Sequence, residues 1–225
     1  MSIAIENVDI HGWKAAIRGA RNPMNSWDKS DTKIIMGKND HKLLMNLCKG
    51  GSEESKWRRF VHVSMDIIAP LYWWKEFETY KVGTACNSCS TMHKIQAKKF
   101  TLEDFSCDHL GYIDWDKEHD DREYYETAID GDGGPYYPID LLTDIIAVLN
   151  HNREKFLETG DKKFWWQMIQ LLPTSYNQRR TIDLNYEVLA KQYRERKNHK
   201  LDEWREYCEW IKTLPYSELI TMEEI

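Results

Sequence analysis

Residues 60 to 93, FVHVSMDIIAPLYWWKEFETYKVGTACNSCSTMH, bring together the side chains of this sequence best suited to chemistry. After Lys81 come Gly83, Thr84, Asn87, Ser88, Ser90 and Thr91, small donors and acceptors in a segment too polar for a core and too short for a linker. Such a run can orient a polar ligand while the lysine supplies one positive charge. His62 can face a ligand from a strand, although a lone strand histidine is more often structural. Arg179 and Arg180 offer planar, permanently charged forks for an anion, with solvated surface charge as the plainer reading. Cys86 and Cys89 in C-x-x-C spacing, with His93, Cys107 and His109, contain enough soft donors for tetrahedral zinc. One such pair without a second at fixed spacing is a weak pattern, and the reading adopted is no metal. Trp73–Trp74 and Trp165–Trp166 can stack on a ring, but aromatic pairs on amphipathic helices usually pack inward, so at least one of each pair is expected in the core.

These groups need a scaffold, and the periodicity supplies one. Phe60, His62, Ser64 and Asp66 alternate with Val61, Val63, Met65 and Ile67, the pattern of a strand with one buried face. Pro70 then opens a helix through Leu71, Trp74, Phe77 or Glu78, and Lys81, because a first helical turn has no use for the missing N–H. Upstream, Ser2 to Ile10 reads as a strand and Ala15 to Ile17 as a short helix ending near Asn22 and Pro23. Met24 to Gly37 has a loop composition able to close over a pocket. Asn39 and Asp40 are expected to cap a helix carrying Leu43, Leu44, Leu47 and Cys48, which Gly50 and Gly51 end. Beyond residue 138 the apolar stripes are read as helical throughout: Leu141 to Leu149, Phe164 to Leu172, Leu184 to Leu189 and Leu201 to Ile211.

The predicted class is α+β, a small sheet with a helical layer, in a single domain with an acidic surface insertion at about 100–138. Within that insertion DGDGG suggests a calcium loop, yet the further ligands and the bidentate Glu that such loops need are missing. The 225 residues suffice for a real core, and a net charge of −6 argues against a dedicated nucleic-acid binder. No apolar run approaches the roughly 20 residues that span a bilayer. A cytoplasmic protein with its five cysteines as free thiols is the expectation.

The order of elements resembles the flavin-dependent thymidylate synthases. Val61-His62-Val63 stands for that family's Glu-His-Val strand, Ala69-Pro70 for its Ala-Pro turn, Thr79-Tyr80-Lys81 for Arg-His-Arg, and Asn87 to Met92 for Asn-Glu-x-Ser-x-Arg. Farther on, Leu172 to Tyr176 follows the Leu-Pro turn, Asn185 the Asn-Leu-Arg-Ser helix, and Glu203 to Tyr207 the Glu-Ile-Arg-Glu helix. Ser88 replaces a glutamate, while Thr79, Met92 and Glu187 stand where the family has arginines. The resemblance implies FAD and methylene-tetrahydrofolate, a pyrimidine nucleotide such as dUMP as substrate, and a homotetramer. It places His62, Lys81, Asn87, Ser88 and Asn185 near the flavin, and Glu76, Thr79 and Ser90 near the nucleotide. Arg179 and Arg180 are the expected replacements for the missing cations. The alternative is a catalytically inactive relative that binds or sequesters a nucleotide.

Overall fold

A computed structural model describes residues 3–110 and 137–223, arranged in two compact units. One comprises Ser2–Ala69, Trp73–Ser88 and Arg179–Ile225; the other comprises Pro70–Tyr72 and Cys89–Gln178. The calcium-like DGDGG motif lies outside the described residues.

The first unit is built on a four-stranded sheet in the order β1-β2-β4-β3. Its strands are β1 (Ala4–His11), β2 (His62–Pro70), β3 (Thr84–Ser88) and β4 (Asn177–Asn185), and the β1–β2 and β3–β4 pairs are antiparallel. The alternation expected of β2 is present: Val63, Met65 and Ile67 are buried while His62, Ser64 and Asp66 stay partly exposed. Trp73, Trp74, Phe77, Trp204 and Tyr207 form a buried aromatic cluster in this unit, with Trp73 centred 4.9 Å from Trp204 and 5.0 Å from Phe77. Each such ring, fully buried, stabilises the fold by roughly 1.5–3 kcal/mol through the area it removes from water.

Four expectations are corrected. The helix after Pro70 is α3 (Leu71–Phe77) and stops short of Lys81; Pro70 ends β2, and Gly83, at φ +81, turns the chain back. The polar stretch after Lys81 is the strand β3, hidden in the sequence because its side chains are mostly exposed and show no apolar alternation. The region after residue 138 is not wholly helical, since β4 runs from Asn177 with Ile182 and Leu184 buried. Asn185 is therefore the residue before a helix, not one within it. Finally, α2 (Lys38–Lys49) has Gly37 at its N-cap, and Asp40 serves another purpose. Fully buried, Asp40 accepts from Arg21 Nε at 2.6 Å, Ser30 Oγ at 2.7 Å and Thr32 Oγ1 at 2.6 Å, tying α1 (Trp13–Arg21) and the loop after it to α2.

The second unit holds α4 (Thr91–Lys94), α5 (Pro138–Thr159) and α6 (Lys162–Leu171) around Phe100, Phe105, Leu142, Ile146, Leu149 and Met168. Pro138 suits the first turn of α5, and Gly160, at φ +67, ends it. An amide clasp, Phe100 N to Asn150 Oδ1 and Asn150 Nδ2 to Phe100 O, both 2.9 Å, fixes the segment before residue 110 to α5. Of the first pair, in which at least one member is expected in the core, both Trp73 and Trp74 are buried; of the second, Trp165 is partly buried and Trp166 is half exposed.

A cationic cleft as the candidate functional site

In the sheet-bearing unit a cleft of about 770 Å³ opens beside α7 (Tyr186–Arg196). Its walls come from the end of α2 with Gly51 and Ser52, the short turn Lys56–Phe60, residues 79–83, α7, and the end of the short helix Glu218–Thr221. Asn185 creates the α7 wall. Its Oδ1 accepts from Glu187 N and Val188 N, both at 3.1 Å, so two backbone donors that a helix start leaves orphaned are satisfied. Gly83 completes the corner: a side chain there would bring its Cβ within 3.0 Å of Asn185 Nδ2 and 3.2 Å of Val188 Cγ2, on a backbone that L-residues rarely adopt.

The charged residues lining this cleft are mostly cationic. Arg58, Arg59, Lys191, Arg194 and Lys197 line it against one carboxylate, Glu187, whereas Asp and Glu outnumber Lys and Arg in the chain as a whole. Lys191, Arg194 and Lys197 recur every third residue, which aligns them along one side of α7 and its C-terminal extension. Arg58 is buried and only partly partnered. Its Nε donates to Leu219 O at 2.8 Å and its Nη1 lies 3.8 Å from Glu187 Oε2, while Nη2 has no hydrogen-bond acceptor among the described residues. Tyr80 and Tyr193 contribute ring faces; Lys191 Nζ sits 5.6 Å over the first and Lys197 Nζ 5.4 Å over the second. Burial pushes the Cys48 thiol up, so this cleft-lining cysteine is kept protonated and is a poor nucleophile.

The residues singled out from the sequence have varied fates. Thr79 and Asn185 line the cleft, and Lys81 is exposed in the turn beside it. Thr79 Oγ1 donates back to Glu76 O at 2.7 Å. The Glu76 carboxylate is heavily engaged, accepting from Arg196 Nη1 at 2.8 Å and Trp204 Nε1 at 3.1 Å, with His199 Nε2 at 3.3 Å. Asn87 and Ser88 are exposed on β3, opposite Thr181 and Arg180. Ser90 belongs to the second unit, where its Oγ accepts from His93 N at 3.2 Å to cap α4. His62 lies on the polar face of the sheet: its Nδ1 pairs with Asp183 Oδ1 at 2.9 Å, Ser64 Oγ donates to Asp183 Oδ2 at 2.6 Å, and His11 stacks on the ring at 5.5 Å.

Arg179 and Arg180 do not reach the cleft lining. Arg179 pairs with Glu6 at 2.8 Å and Asp66 at 3.4 Å on the polar sheet face. Arg180, one residue on and therefore on the other face, pairs with Glu78 at 2.7 Å and lies 4.5 Å over Trp74. The cations that do line the cleft were missed by sequence reasoning. Their signals were the Arg58-Arg59 pair directly before a strand and the three-residue spacing from Lys191 to Lys197. Among the described residues no three His, Cys, Asp or Glu side chains converge as a metal site, and no helix is long and apolar enough to cross a membrane.

The arrangement of sheet and helices is the flavin-dependent thymidylate synthase fold. It matches ThyX from Helicobacter pylori, in a structure complexed with FAD and dUMP, over 99% of each chain with a TM-score of 0.67 at 14% identity. The UMP/dUMP methylase PolB from Streptomyces cacaoi, bound with 5-Br dUMP, matches over 99% of this chain and 96% of its own, with a TM-score of 0.61 at 15% identity. No protein-family model matches the sequence, and no curated protein matches it by sequence.

Proposed function

We propose that this chain is a flavin-dependent pyrimidine-nucleotide methyltransferase, reductively methylating a substrate such as dUMP. The observation that carries the reading is the cleft itself: five cations and two tyrosine rings, bordered by Thr79 and Asn185, in a fold it shares with proteins crystallised with FAD and dUMP. FAD carries a pyrophosphate and the substrate a phosphate, and guanidinium groups hold such oxyanions through charge-assisted hydrogen bonds. The residues present fit that demand, most clearly in the buried Arg58 with its unpartnered Nη2. When bound, flavin supplies reducing equivalents and methylene-tetrahydrofolate the one-carbon unit, the protein contributing position and field. In this reading Arg58, Arg59, Lys191 and Arg194 neutralise phosphate, Tyr80 and Tyr193 flank the ligand, and Asn185 with Gly83 keeps the α7 wall in place. His62, Lys81, Asn87 and Ser88 act around the same ligands in a cytoplasmic homotetramer, and the acidic run within about 100–138 is an insertion in each chain.

A second reading, a nucleotide-binding relative without catalysis, draws support from one observation: Arg179 and Arg180 are both committed to carboxylates, and Glu76 is committed to its own donors. Release of tritium from 5-tritiated dUMP, with FAD, reductant and methylene-tetrahydrofolate present, separates the two. Turnover dependent on FAD supports the enzyme. Nucleotide binding without tritium release supports the binder, and failure to bind either FAD or dUMP refutes both.

A further inference from the structure

We infer that the cleft beside α7 is a diphosphate-class anion site formed by Arg59, Lys191 and Arg194 over the buried Arg58, and that the Glu223 carboxylate competes for its Lys197 end. The inference rests on the reading of this cleft as the nucleotide site and adds to it the Glu223 carboxylate, which that reading does not use. Arg59, Lys191 and Arg194 are exposed and form no ion pair with a carboxylate among the described residues. Outside this cleft Arg179, Arg180, Arg196 and Arg205 each have a carboxylate within reach. Three unneutralised cations, Arg59 from the turn and Lys191 and Arg194 from α7, line the same cleft as a buried guanidinium with a spare donor and raise the local potential for an oxyanion.

Glu223 provides the independent observation. Just past the helix Glu218–Thr221, its two carboxylate oxygens accept from Lys197 Nζ and Tyr193 Oη, both at 2.8 Å. A cation and a phenol of the cleft thus already hold an oxyanion from the chain itself. The Lys197 and Tyr193 donors hold that carboxylate below the usual range, so it remains charged at neutral pH. Two anionic groups cannot share Lys197 without repulsion. Any ligand oxyanion reaching that end must displace Glu223, whereas one gripped by Lys191 and Arg194 alone need not.

The test is equilibrium titration of the full chain with sodium pyrophosphate, FAD and dUMP, repeated for Lys191→Ala/Arg194→Ala and for Glu223→Gln. Loss of two charge-assisted contacts should weaken pyrophosphate and FAD binding by about two to four orders of magnitude. Glu223→Gln should tighten both by a few-fold, a gain that misfolding cannot produce. If pyrophosphate binds with these responses while FAD and dUMP do not bind, the anion site stands and the proposed function falls. If FAD and dUMP bind but the double variant binds them as the parent does, the anion site is overturned and the proposed function survives. Glu223→Gln with unchanged affinity for pyrophosphate and FAD overturns the competition.

Discussion

Replacing Asn185 with alanine separates the helix-capping role of this residue from a role in ligand binding. The side chain supplies one acceptor to two backbone donors, and the Val188 N–H it satisfies is buried. Loss of an N-cap costs typically about 1 kcal/mol, and leaving one buried donor unpaired brings the total to about 2 kcal/mol. In a chain of this size each kcal/mol lowers Tm by roughly 2–4 °C, so the variant should melt about 4–8 °C lower. Asn185→Asp keeps the acceptor and places a negative charge at a helix N-terminus, where it is favourable, so its stability should stay within about 0.5 kcal/mol of the parent. The same substitution adds a carboxylate to the cleft wall and should weaken pyrophosphate binding. Urea unfolding followed by circular dichroism, with titration on the same samples, measures both effects. An Asn185→Ala protein melting within about 1 °C of the parent would refute the capping argument. Parental pyrophosphate affinity in Asn185→Asp would refute the electrostatic one.

Other outcomes follow from the same geometry. Gly83→Ala forces a side chain towards Asn185 Nδ2 on a left-handed backbone, so it should destabilise by about 1–2 kcal/mol and weaken FAD binding, read by unfolding and fluorescence. Asp40→Asn removes the charge that pairs with buried Arg21 and should cost about 3 kcal/mol; combined with Arg21→Met, the loss should be smaller than the sum of the two single losses. Burial alone would raise the Asp40 pKa, but hydrogen bonds from Thr32, Ser30 and Arg21 outweigh it and leave it lowered. That sign gives stability present above the unfolded carboxylate value of about 3.9 and lost as pH falls through the folded one. The parent should therefore weaken below about pH 4, and the deficit of Asp40→Asn relative to the parent should shrink there, as urea midpoints across pH would record.

What could be read from the sequence depended on whether packing wrote itself into residue type. β2 was legible because one face is wholly apolar, and the amphipathic pattern around Trp73 and Trp74 pointed to at least one core ring where both are buried. β3 was not: an exposed strand need not alternate, and its pairing with β4 depends on a partner nearly a hundred residues away. The end of β4 was mistaken for helix because Leu184, Val188 and Leu189 satisfy a helical spacing across a strand-to-helix junction that Asn185 marks. The site divided in the same way. Thr79 and Asn185 were found through the resemblance and do line the cleft, while Arg179 and Arg180 lie on opposite faces of β4 with carboxylates the sequence could not place beside them. The cleft cations come from a turn before β2 and from α7, segments brought together only by the fold.

The most direct test of the central claim is a titration of the chain with FAD, followed by flavin fluorescence, with and without dUMP. The account expects saturable binding that weakens as salt is raised, since cations supply the grip. A flavin signal unchanged by saturating protein, in both the presence and the absence of dUMP, would contradict it.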